Sequence, residues 1–84
     1  MTAAQRDLIL AALGLRPRNG RMPRWSSQNE YAALWPEIVE WEAMIGLGLA
    51  DLDEHPNHYL FRVTRAGAEA AGVLERCRVE DVGR

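Results

Sequence analysis

The chain predicts an α+β fold of three to four helices with a two-stranded antiparallel hairpin. Three observations carry that expectation. Apolar residues recur at helical spacing near the N-terminus and again around Trp41. Between residues 49 and 63 the pattern changes to strand-like runs on either side of a polar turn. The third is size: 84 residues, 48% hydrophobic and 26% charged, make one core, with too much apolar content for disorder. Residues 1–78 are expected to form that single domain and residues 79–84 a frayed polar tail.

The first helix is expected at 3–13. Thr2 suits the N-cap and Gln5 completes a capping box. Leu8, Ile9, Ala12 and Leu13 share one helical face, Gly14 suits the residue after the helix, and Pro17 stops it. Residues 16–24 hold two prolines and an Asn-Gly pair and read as a loop. A short extended piece at 21–25 is expected to pair with a sheet edge. Ser27 and Glu30 repeat the capping-box pattern, predicting a short turn or helix at 28–34.

The main helix is expected at 36–46. Pro36 fits its first turn, where a missing N–H costs nothing. Ile38, Trp41 and Ile45, with Met44 beside them, mark its buried stripe, and Gly46 and Gly48 end it. Leu49 to Asp53 alternate apolar and acidic residues, as a half-exposed strand does. Residues 54–58 make a polar turn. Tyr59 to Val63 form the second strand, with Tyr59, Phe61 and Val63 on one face. Thr64 then caps a last helix carrying Ala68, Ala71 and Leu74.

Charge is unevenly placed. The net is −2, yet residues 1–28 carry five Arg against one Asp, while residues 29–58 carry seven acids and no Arg. All ten basic residues are Arg, a set that a GC-rich genome alone would also produce. No apolar run is long enough to span a membrane, and no signal peptide is recognisable. A single cysteine, Cys77, excludes an internal disulfide and a four-cysteine zinc site. A reducing, cytoplasmic setting is expected.

The order helix, extended piece, helix, helix, hairpin is a winged-helix arrangement. The segments Gly46-Leu47-Gly48-Leu49-Ala50 and Tyr59-Leu60-Phe61-Arg62-Val63-Thr64-Arg65-Ala66-Gly67 resemble the wing signature of many small winged-helix proteins. From about residue 5 to 74 the chain resembles short phage and prophage proteins with this order of elements. The resemblance implies a cytoplasmic protein of a bacterial host cell, and small acidic phage proteins include inhibitors of host defence such as anti-CRISPR proteins. It speaks to fold and origin rather than activity.

A winged-helix DNA binder presents cations on its recognition helix. Here that helix presents Glu37, Glu40 and Glu42, and the wing carries Asp51, Asp53 and Glu54. These six acids form the expected partner-binding surface, complementary to a basic groove on a host or phage protein such as a nucleic-acid-handling complex. The competing reading is an ordinary solvated helix face and a charged hairpin protected from edge pairing. The other candidate surface is the basic loop of Arg16, Arg18, Arg21 and Arg24 with Trp25, able to hold a protein or a phosphate backbone. Its alternative is a solvated loop paired with the chain's own acids. Trp25 reads either as an exposed anchor or as core, Trp41 as core, and Trp35 as a staple at the helix entry.

Catalytic chemistry has little support. His55 and His58 flank a turn that Pro56-Asn57 explain without a metal. Cys77 has no nearby His, and no phosphate loop or nucleophile elbow occurs. The expectation is a non-enzymatic interaction protein without cofactor or metal, which binds and inhibits a host protein. The alternative is a DNA-binding regulator using the Arg loop, and a homodimer through the last helix is a third reading.

Overall fold

The computed structural model describes residues 1–55 and 58–83, with the side chains of residues 54, 55 and 58 outside the described set. In chain order the elements are α1 (Ala3–Leu13), β1 (Tyr31–Ala32), α2 (Trp35–Gly46), β2 (Ala50–His55), β3 (His58–Val63), α3 (Arg65–Ala70), a 3-10 turn (Leu74–Arg76) and α4 (Val79–Val82). The fold is α+β, with a three-stranded antiparallel sheet in the order β1-β3-β2.

α1 forms where local signals place it. Thr2 Oγ1 accepts from the Gln5 N–H at 3.1 Å, and Gln5 Oε1 accepts from the Thr2 N–H at 3.1 Å. Gly14 closes the helix at φ 71°, and the Leu15 N–H donates back to the Leu10 carbonyl at 2.8 Å. Leu8, Ile9, Ala12, Leu13 and Leu15 are buried against the sheet and α2.

The next segment departs from expectation. Residues 21–25 do not join the sheet. Arg18 and Arg21 instead pair with each other across Asn19 and Gly20, both at positive φ, as a tight hairpin turn of Asn-Gly type requires. The strand that joins the sheet is β1, whose Tyr31 faces Phe61. No helix forms at 28–34 either. The Ser27 and Glu30 N–H groups donate to the Leu13 and Ala12 carbonyls at 3.0 and 3.1 Å. Those carbonyls lie at the end of α1, where intrahelical partners run out. The Asn29 side chain pairs with both the N–H and the C=O of Val63, at 2.7 and 2.8 Å, as a further strand residue would. Tertiary demand for donors therefore overrides the local capping pattern, and only one helix separates β1 from β2.

α2 follows expectation, with Pro36 in its first turn. Trp41 is fully buried and stacks on Phe61 with ring centroids 5.3 Å apart, while Tyr31 packs against it at 5.6 Å. This aromatic trio joins α2 to β1 and β3. The hairpin strands are longer than the alternation suggested: pairing runs to Glu54↔Tyr59 and His55↔His58. Of the turn expected at 54–58, residues 54, 55 and 58 belong to the strands, and residues 56–57 lie outside the described set.

Thr64 caps α3, its hydroxyl accepting from the Gly67 N–H at 3.0 Å. Gly67 packs against the Leu49 carbonyl so closely that a Cβ would overlap the oxygen. The helix stops at Ala70 because Gly72 turns left-handed at φ 76° and the Val73 N–H returns to the Ala68 carbonyl at 3.0 Å. Ala68 and Ala71 are buried as expected, but Leu74 belongs to the separate 3-10 turn. Residues 79–82, expected to fray, form α4 and are tied to the segment before β1. Buried Ser26 donates its hydroxyl hydrogen to Asp81 and accepts from the Arg78 N–H at 2.9 Å. The Asn29 amide also donates to the Asp81 carbonyl at 2.6 Å.

Candidate functional site

Packing Trp41 into the core fixes the roll of α2 and decides which residues flank the buried stripe. Trp35, Ile38, Glu42 and Ile45 fall on the flank beside the hairpin. On the hairpin, Ala50 pairs with Val63 and Leu52 with Phe61, so the inner face of the sheet runs from the core outward to Leu52, Phe61 and Tyr59. The two flanks diverge and leave an open cleft of about 440 Å³. Its walls are Trp35, Ile38, Glu42 and Ile45 from α2 and Leu52, Tyr59 and Phe61 from the hairpin. Trp35 is 76% exposed and Tyr59 52% exposed, despite their large apolar surfaces. Val39 within α2, and Leu34 and Leu47 at its two caps, are further exposed apolar residues. Trp35 therefore opens onto the cleft rather than stapling the helix entry.

The six acids proposed as one surface are not one surface. Glu42 lines the cleft. Glu37 is engaged within the chain: it accepts from the Tyr31 hydroxyl at 2.6 Å and from the Leu34 N–H at 3.0 Å. The Tyr31 hydrogen bond, aided by the Leu34 N–H, holds the Glu37 carboxyl below the usual carboxylate range, while the same bond pushes the Tyr31 hydroxyl up. Glu40 is half-buried on the α2 flank away from the cleft. Asp51 and Asp53 occupy the opposite face of the hairpin from Leu52, where Asp53 pairs with Arg62 at 3.1 Å. The Glu54 side chain lies outside the described set.

The basic loop also divides. Arg16 is bound to Asp7 through two hydrogen bonds, at 2.7 and 3.3 Å. Arg18 and Arg21 stand side by side on their turn without an ion pair among the described residues. Arg24 and Arg78 both lie over the Trp25 ring, at 5.4 and 5.8 Å from its centroid. Trp25 is 43% exposed, so it is neither fully core nor free. Arg76 donates to the Pro23 carbonyl at 3.2 Å and Arg78 to the Ser26 carbonyl at 3.2 Å. With the Ser26 bonds, these contacts make Trp25 the centre of a latch that holds the C-terminal segment to residues 23–26.

No group of three or more His, Cys, Asp or Glu converges among the described residues. The Cys77 sulfhydryl donates to the Val73 carbonyl at 3.3 Å, and burial pushes its pKa up, away from a reactive thiolate. No helix among the described residues is long and apolar enough to cross a membrane.

No protein-family model, curated protein or solved structure matches the chain. The cleft was legible in the sequence only as parts: the period of α2 and the pairing face of Tyr59 and Phe61. Leu52 is its signal in the hairpin, the apolar residue between Asp51 and Asp53.

Proposed function

We propose that the protein is a non-enzymatic interaction protein that binds another protein through the cleft between α2 and the hairpin. The observation that carries the reading is Trp35, 76% exposed at the mouth of an apolar cleft. Large aromatic side chains left in water at such a cleft have the composition of binding hot spots. Glu42 in its wall supplies the acidic character expected of the working surface. The scaffold is proposed to be a reduced winged-helix-like one: β1 pairing with the second strand of the hairpin supports it, while one helix rather than two stands between β1 and β2 among the described residues. The phage setting, the bacterial cytoplasm and an inhibitory role against a host protein, of the anti-CRISPR kind, rest on the resemblance of residues 46–50 and 59–67.

The test is affinity capture from the natural host with wild type and Trp35→Ser side by side. A hot-spot Trp is worth about 2 kcal/mol or more, roughly thirtyfold in Kd. A partner held by wild type and by Arg18→Ser but lost from Trp35→Ser is the expected result. Equal recovery on Trp35→Ser contradicts the proposal.

DNA binding through the Arg turn is the second reading, favoured by Arg18 and Arg21 having no ion pair among the described residues. Against it, a single helix separates β1 from β2, so the helix pair of a helix-turn-helix reader is absent among the described residues. A gel-shift series on duplex DNA separates the readings. Binding that weakens steeply with salt and is lost in Arg18→Ser supports the regulator.

A further inference from the structure

The charge around the cleft narrows what fits in it. Residues 35–63, which build both walls, carry six acids and one Arg. That cation, Arg62, pairs in register with Asp51 and forms its ion pair with Asp53, on the hairpin face turned away from the cleft. Glu42 stands within the apolar wall and has no ion pair among the described residues. Apolar side chains entering the cleft would cover Trp35, Leu52 and Tyr59, and their flanking groups would meet Glu42, the acid that lines the cleft among the described side chains. A second copy docked cleft to cleft would set Glu42 against Glu42, a like-charge contact that disfavours association.

We infer that the cleft takes a short amphipathic, cationic segment of another protein, with large apolar side chains seated beside Trp35 and Lys or Arg flanking them against Glu42. This rests on the protein-binding reading above and specifies its partner. Apolar contact supplies the hold, and the charges supply orientation and exclude acidic competitors.

The experiment uses the full chain and two synthetic peptides of one apolar pattern, one flanked by Lys and the other by Glu, followed by titration calorimetry at low and high salt. The Lys peptide is expected to bind, and its affinity to fall about thirtyfold in Trp35→Ser and about tenfold in Glu42→Lys. Leu52→Ser is a second apolar variant should Trp35→Ser prove poorly folded. Glu69→Lys, the same charge change at an exposed position of α3, is expected to leave affinity unchanged. Equal losses in Glu42→Lys and Glu69→Lys would mean attraction to net charge alone and overturn the inference. Equal binding of the Glu peptide would overturn it too. A dimer in sedimentation that Trp35→Ser dissolves would place a second copy in the cleft instead. If neither peptide binds while a natural partner is still lost from Trp35→Ser, the cationic occupant is wrong and the protein-binding reading survives.

Discussion

Replacing Gly67 with alanine sets helix propensity against packing, and the two predict opposite signs. Alanine within a helix is favoured over glycine by about 1 kcal/mol. At Gly67, however, the new methyl would overlap the Leu49 carbonyl oxygen and stand 3.0 Å from Val63 Cγ1. The oxygen belongs to backbone and accepts the Thr64 N–H at 3.1 Å, so it cannot move aside without loosening the N-cap of α3. Overpacking of this kind costs about 1–3 kcal/mol, and the strained hydrogen bond adds about 1 kcal/mol. After subtracting the propensity gain, Gly67→Ala should destabilise by about 2 kcal/mol, or a fall of roughly 10 °C in Tm for a domain of this size. Gly46→Ala is the matched control. Gly46 is the last residue of α2, its φ is not positive, and an added Cβ meets nothing within 4 Å. It should raise stability by about 0.5 kcal/mol. Thermal and urea unfolding by circular dichroism measure both. A Gly67→Ala protein that melts at or above wild type would refute the close contact between α3 and residue 49.

Three further outcomes follow from contacts elsewhere. Asn29→Ala removes the partners of the Val63 N–H and C=O and should cost about 2 kcal/mol in urea unfolding; a change within error would mean the segment before β1 contributes nothing to the sheet. Tyr31→Phe should flatten the acid side of the pH–stability curve. The lowered Glu37 pKa contributes stability that is full above the ordinary glutamate value and is lost as pH falls through the lowered one. Since the Tyr31 hydroxyl is the largest cause of that lowering, identical acid slopes in wild type and variant would contradict the assignment. Ser26→Ala breaks the bonds to Asp81 and the Arg78 N–H and should speed proteolysis within residues 76–83 several-fold, on a loss of about 1–2 kcal/mol; unchanged protection would show the latch is held by Trp25 alone.

What could be read from the sequence was what is settled locally. Thr2, Gln5 and Gly14 bracket α1 within one short segment, and Pro36 and Gly46 do the same for α2. The misplaced strand and the helix expected at 28–34 have a common cause. Tyr31 pairs with Phe61, and Ser27 and Glu30 donate to the end of α1, so both outcomes depend on partners distant in the chain. α3 came out short because the expected Ala68, Ala71 and Leu74 spacing runs across Gly72, whose left-handed turn outweighs it. At the candidate site, the acids were visible but their employment was not. Glu37 is spoken for by a hydroxyl six residues earlier, and Asp53 by an Arg on the neighbouring strand. The exposure of Trp35 depends on where the hairpin comes to rest beside α2, which no spacing within α2 encodes.

The tie between Ser26 and Asp81 also sets an order of events during synthesis. The segment around Trp25 leaves the ribosome long before its anchors exist, because the two residues are 55 positions apart. Until residues 76–81 have been polymerised, its backbone donors and indole face water, and the nascent chain exposes them to chaperones and proteases. α1 can form early, but closure of the domain waits for its final quarter. Codon changes that slow translation after residue 72 should therefore lengthen the vulnerable interval, whereas slowing before residue 20 should not.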